Sequence, residues 1–172
     1  DYGLFFRSVA PSSSRSAQAL RSLTFDGNPS MSERFESGRI TSAEFVQWLR
    51  REGDIHLDDN EIIERFVGIF TPNAPVVGLV AQLARETTVG LISNTNELHF
   101  ERFVRRTPVF DSFSAVVLSY VVGAMKPDAA IFRDALAKLQ CEADECVLVD
   151  DSSINVARAR ELAKRINSPL SI

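Results

Sequence analysis

The sequence predicts an α/β fold in which a helical insertion precedes a parallel sheet. Two observations carry this prediction. Up to Leu83 the apolar residues recur at helical spacing, whereas from Thr87 onward short β-branched runs alternate with helical patterns. Those runs, expected as strands at about residues 88–92, 115–119 and 146–150, are each followed by small polar or charged residues: Ser93 and Asn94, then Lys126, then Asp150 and Asp151. All three sets fall at the carboxyl edge of successive strands, where open α/β sheets bind their ligands.

The 172 residues suit one domain, or a compact core with a modest insertion, able to bury roughly 70% of the unfolded surface. Hydrophobic residues make up 45% and charged residues 24%, ordinary for a globular protein. No apolar run approaches the ~20 residues of a membrane helix, and no leader precedes the first polar segment, so a cytoplasmic protein is expected with no membrane partner. A net charge of −4 without a basic stripe argues against nucleic acid as a partner. Cys141 and Cys146 have neither zinc spacing nor a disulfide framework and are expected as small buried hydrophobes.

In chain order, Asp1 to Phe6 reads as the end of a strand and its turn. A Ser-rich connection around Pro11 leads into a helix through Ala17, Leu20 and Leu23, and Phe25 to Pro29 carries turn chemistry. Thr41 and Glu44 match a capping box for a helix bearing Phe45, Trp48 and Leu49 that ends near Gly53. The Asp58 to Glu61 stretch opens another, with Ile62, Ile63, Phe66, Val67 and Phe70 as its apolar stripe. Val76, Val77, Val80 and Leu83 mark a further helix before the first strand. After that strand, residues 97–106 are expected to form a helix burying Phe100, Phe103 and Val104; beneath its start, Ser93 and Asn94 make an anion site plausible chemistry. Asp128 is placed to cap a helix with Ile131, Phe132, Ala135, Leu136 and Leu139. Ser152, Ser153 and Asn155 can cap a last helix carrying Val156, Ala159 and Leu162, and residues 164–172 are too few for another strand-helix unit. His56 and His99 share no ligand spacing and read as surface or helix filler.

A carboxylate pair, a lysine and a hydroxyl at one sheet edge suit a divalent metal and a phosphate. Two carboxylates about 4 Å apart repel by ~4 kcal/mol at an effective dielectric of ~20, which favours a cation between them. Magnesium prefers oxygen donors and typically takes one or two carboxylates. Lys126 and the Ser93 hydroxyl would then meet phosphate oxygens.

At these residues the chain resembles the haloacid dehalogenase-like hydrolases, in particular the helical-cap branch that includes sugar-phosphate phosphatases and the amino-terminal phosphatase domain of soluble epoxide hydrolases. Ile92-Ser93-Asn94-Thr95-Asn96 is similar to the second motif of that family, Gly123 through Lys126-Pro127-Asp128 to the third, and Val149-Asp150-Asp151 with Asn155 to the fourth. The stretch from Phe35 through Gly38 to Ile40, with the Phe45 and Trp48 helix, is similar to the cap segment. Asp1-Tyr2-Gly3 matches a variant of the first motif with Gly where a second Asp, the general acid, usually stands.

The resemblance implies a Rossmann-like parallel sheet core, residues 1–7 and 73–172, with a small helical cap inserted at residues 8–72. It implies a strand upstream of Asp1, so that the chain reads as part of a longer protein or as a degenerate member. It also implies a magnesium-dependent phosphatase for a small phosphorylated metabolite, with Asp1 as nucleophile, Ser93 and Lys126 as catalytic phosphate contacts, Asn94 as a further substrate contact and Asp150 orienting Lys126. Asp1, the Gly3 carbonyl and Asp151 would hold the Mg2+. The competing readings are a non-catalytic binding or scaffold protein, and a metal-independent haloacid dehalogenase, against which the retained acid pair speaks. A response-regulator receiver fits poorly, because there the acidic pair precedes the lysine. The sequence leaves the oligomeric state open.

Overall fold

The computed structural model describes residues 1–166; the expectation for the last residues of the tail falls outside them. The chain opens not with a strand end but with a helix, α1 (Tyr2–Val9), and Asp1 is its N-cap, accepting from the Gly3 N–H at 2.7 Å. Helical spacing explains the difference: Phe5, Phe6 and Val9 all reach the buried cluster from one face of a helix, which an alternating strand could not achieve. The cluster gathers α2 (Ala17–Phe25), α3 (Met31–Glu36), α4 (Ser42–Glu52) and α5 (Asp59–Val67) around those residues. Phe66 lies at its middle, with ring contacts to Tyr2, Phe5, Phe35, Phe45 and His99.

Local signals set the ends of these helices. The expected capping box of Thr41 with Glu44 forms, the helix expected to start at Asp58 opens with a second between Asp58 and Glu61, and a third pairs Ser30 with Glu33 ahead of α3. Each satisfies two amino-terminal N–H groups or their neighbours reciprocally, so these short helices begin at defined residues. Just past α3, Gly38 adopts φ +68. A Cβ there would collide with the Tyr120 carbonyl oxygen, so the absence of a side chain lets the helical cluster meet the sheet half closely.

Helix α6 (Ala74–Leu83) forms where expected, starting with Asn73 as N-cap and Pro75 in its first turn, but none of its residues is buried. It leads to β1 (Gly90–Ser93), which pairs in parallel with β2 (Ala115–Leu118) in register Gly90 to Ala115 through Ser93 to Leu118. Between them, α7 (Glu97–Arg102) gives way to a 3-10 turn at Val104–Arg106, shorter than the single helix expected. After β2 come α8 (Ser119–Val122), α9 (Ala129–Leu139), capped by Asp128 as expected, and α10 (Ser153–Ile166).

The third expected strand does not form: residues 146–150 carry no regular secondary structure, and the described sheet contains two strands only. The alternation of a strand is present, with Leu148 packed on the cluster of Val117, Ile131 and Phe132 while Val147 and Val149 are 91% exposed. A strand is defined by its ladder, and among the described residues no neighbouring backbone pairs with this segment. Among the described residues no helix is long and apolar enough to cross a membrane.

Candidate functional site

Three chain segments meet at the carboxyl end of β1. Lys126, on the loop before α9, points inward: its Nζ donates to the Ile92 carbonyl at 3.0 Å and to Asp150 Oδ2 at 2.6 Å. The two side chains are only 12% and 4% exposed, which removes most of the solvent screening that weakens surface pairs. Asp150 Oδ1 accepts from the Ser152 N–H at 2.9 Å and from Asn155 Nδ2 at 3.0 Å. Burial alone would raise the Asp150 carboxyl, but Lys126, Asn155 and the Ser152 N–H outweigh it and hold the carboxyl below its ordinary range.

Asn94 fixes the loop that delivers the lysine. Its Oδ1 accepts from the Lys126 N–H at 2.7 Å and its Nδ2 donates to the Lys126 carbonyl at 2.9 Å, so one side-chain amide holds both backbone groups of one residue. This engagement makes Asn94 a positioning residue for Lys126. A second tie joins the loops after the two strands. Ser119, fully buried, accepts from the Thr95 N–H and donates to the Thr95 carbonyl, both at 2.9 Å. Sequence reasoning passed over Ser119; the available signal was its place directly after β2, matching that of Ser93 and Asn94 around the end of β1.

Among the residues expected at the site, the structure thus joins Asn94, Lys126 and Asp150, and Ser93 ends the adjoining strand. Asp151 follows Asp150 with its side chain exposed. With Asp150 committed to Lys126, Ser152 and Asn155, Asp151 is the carboxylate open to a further ligand at this edge. Asp1 and Gly3 are placed otherwise: the Asp1 carboxylate caps α1 and lies 3.6 Å from Arg7 Nη2, and Gly3 is inside that helix. Among the described residues no three His, Cys, Asp or Glu side chains gather as a metal site. Asp151 therefore suits a magnesium ligand by its donor chemistry, whereas Asp1 and Gly3 do not complete a site with it in this arrangement.

His99 differs from the filler expected of it. It is buried, stacked on Phe66 with ring centroids 4.2 Å apart, and bonded through both ring nitrogens, to Asn96 Nδ2 at 3.0 Å and the Phe66 carbonyl at 3.1 Å. A carbonyl only accepts, so Nε2 carries the proton and Nδ1 accepts from Asn96. Burial brings its pKa down to about 4 against the opposing pull of the Phe66 carbonyl. The cysteines also depart from expectation, Cys141 being half-buried and Cys146 exposed, because they flank a surface turn rather than face a core.

The sequence profile of the haloacid dehalogenase-like hydrolases matches residues 7–162. Among solved structures, the HAD family enzyme bt-2542 from Bacteroides thetaiotaomicron is 28% identical over 76% of this chain and 68% of its own, with a TM-score of 0.69. The wild-type form of that enzyme in complex with magnesium and inorganic phosphate superposes over 92% of this chain and 80% of its own at 25% identity, with a TM-score of 0.77. A HAD-like family hydrolase from Porphyromonas gingivalis shares the fold at 23% identity, covering 92% of this chain and 77% of its own, with a TM-score of 0.76. A profile match over most of the chain, together with the polar cluster at the end of β1, places this chain in the haloacid dehalogenase-like hydrolases, as a phosphatase-type hydrolase.

Proposed function

We propose that this chain serves a magnesium-dependent phosphomonoesterase acting on a small phosphorylated metabolite through an aspartyl phosphate. The observation that carries the reading is Lys126. An ammonium has three donors, and two are spent on Ile92 and Asp150, leaving one for an anion at the strand end. Asp150 and the Asn94 clamp preset its direction, so little reorganisation accompanies charge development on a bound phosphoryl group. The magnesium and phosphate bound by the bt-2542 enzyme support the same pairing here. Asp151 would hold the metal, which when bound supplies neutralisation of phosphoryl charge.

Asp1 is proposed as the nucleophile because Asp1-Tyr2-Gly3 is similar to the family's first motif; its capping position does not contribute to that assignment. In the first step its carboxylate oxygen bonds to phosphorus as the ester oxygen leaves. Water then attacks the phosphorus, the acyl phosphate bond breaks, and inorganic phosphate and the carboxylate are released. Gly3 has no proton to give, so the departing oxygen takes one from water.

The test is hydrolysis of an aryl phosphate by the protein, with magnesium or with chelator. Magnesium-dependent turnover lost in Asp1→Asn supports the proposal. Full turnover by Asp1→Asn overturns the covalent mechanism. Phosphate binding without turnover establishes the binding-protein alternative.

A further inference from the structure

The two cysteines lie outside the Lys126 cluster and take no part in it. They bracket the 3-10 turn Ala143–Glu145 with their Sγ atoms 3.0 Å apart, Cys141 half-buried and Cys146 exposed. A thiol kept for packing would be enclosed, and a thiol kept for a metal would have further ligands beside it; among the described residues no such group exists. What the geometry presents is a pair facing each other at the surface. Cys141 also borders an open hollow of about 340 Å³ with Arg133, Leu136, Gln140 and Glu142, so a small reagent can reach its sulfur.

The turn has a structural place. Helix α9 starts just after Lys126 and ends at Leu139, about 16 Å away at 1.5 Å per residue; the 146–150 segment then returns to Asp150. Among the described residues that returning segment has no ladder partner, and it is held by Leu148 and Asp150. We propose that Cys141 and Cys146 form a reversible intrachain disulfide, with a small disulfide of the glutathione type as oxidant, that closes the turn between the two halves of the Lys126–Asp150 pair. The Cys141 thiolate attacks one sulfur of the oxidant, forming a mixed disulfide and expelling the first small thiolate. Cys146 gives up its proton and attacks the Cys141 sulfur, forming the Cys141–Cys146 bond and expelling the second. Two protein thiols are oxidised, one small disulfide is reduced to two thiols, and the two protons pass to the departing thiolates.

Partial burial, the Cys141 thiol and the carboxylates of Glu145 and Asp144 push the Cys146 thiol up to about 11. This makes Cys146 the poorer first attacker and assigns it the resolving step, for which it already lies in contact. The thiol chemistry is read without any phosphatase assay, so its outcome is separate from that of the proposed activity.

The experiment equilibrates the chain in glutathione redox buffers of stepped ratio, followed by alkylation, intact mass and peptide mapping. Expected is a single transition to a monomer lacking both alkylatable thiols, lighter by two hydrogens, cross-linked between Cys141 and Cys146, and restored by dithiothreitol. Its thermal midpoint should rise by about 4 °C or more, as a short closed loop restricts the unfolded chain. Cys146→Ser should instead stop at a stable mixed disulfide on Cys141. Two separate glutathione adducts on the wild-type chain, a covalent dimer, or thiols that stay reduced at every ratio would overturn the proposal.

Discussion

Lys126 Nζ and Asp150 Oδ2 lie 2.6 Å apart in a nearly enclosed setting, and each is held by other partners: the lysine by the Ile92 carbonyl, the carboxylate by Ser152 and Asn155. Removing one member of such a pair leaves the other charged and buried. Asp150→Ala is expected to cost about 3–5 kcal/mol in denaturant unfolding. The double change Lys126→Met with Asp150→Leu should cost less than the sum of the singles; strict additivity would show that the charges do not act together.

The same carboxylate makes stability depend on pH at the acid end. Its folded pKa is depressed, so its contribution is present above the unfolded value of about 3.9 and is lost as pH falls through the folded value. Asp150→Asn should flatten the unfolding free energy below about pH 4. An unchanged acid limb in the variant would place the acid sensitivity elsewhere.

His99 acts in a higher window. Its folded pKa of about 4 lies below the unfolded value of about 6.5, so between them the unfolded chain binds the extra proton. Stability is full above pH 6.5 and falls as pH drops towards 4, by roughly 3 kcal/mol in all. His99→Gln should be less stable at neutral pH yet lose this slope. Retention of the slope would mean that another group titrates.

The pair formed by Tyr2 and Glu36 behaves in the opposite sense. The phenol donates to Glu36 Oε1 at 2.9 Å. Burial raises the Glu36 carboxyl, partly offset by Tyr2 and Ser32, so its contribution is present below the unfolded pKa and fades as pH rises through the folded one. Tyr2→Phe removes a donor to the ionised form and should cost about 1–3 kcal/mol at neutral pH, and less near pH 4. An equal cost at both would show that only packing was lost.

Gly38→Ala tests the join between the helical cluster and the sheet half. The left-handed backbone costs an L residue about 1–2 kcal/mol before any collision. The added Cβ then meets the Tyr120 carbonyl oxygen, which is backbone and cannot rotate aside. A thermal midpoint lowered by several degrees is expected. A neutral result would mean that α3 and α8 separate at little cost.

The activity prediction concerns Lys126, whose donor is preorganised. Lys126→Ala should lower kcat by about 10²–10³, the loss typical of one such donor. Asn94→Ala should produce a smaller loss that Asn94→Asp does not fully rescue, because a carboxylate can accept from the Lys126 N–H but cannot donate to its carbonyl. Equal kcat in Lys126→Ala and wild type would remove the lysine from the reaction.

By itself the sequence determined whatever depends on neighbours in the chain. The Thr41 capping box, the helix start at Asp58, the Asp128 cap and the short parallel strands β1 and β2 were legible because capping and periodicity act over a few residues. The pairing of Lys126 with Asp150 was legible through the resemblance to the family's third and fourth motifs, although the segment that carries Asp150 joins no ladder among the described residues. Tertiary structure alone decided the rest. Asp1 to Phe6 became a helix because Phe5, Phe6 and Val9 found a common apolar cluster, which local pattern does not encode. Residues 146–150 kept the alternation of a strand without becoming one, because a ladder needs a second backbone. His99 became a buried, doubly bonded imidazole through Phe66, thirty-three residues away, and Asn94 was taken from the substrate side to hold the Lys126 backbone. Contacts between residues far apart in sequence depend on how the whole chain packs, and no window along the chain contains that information.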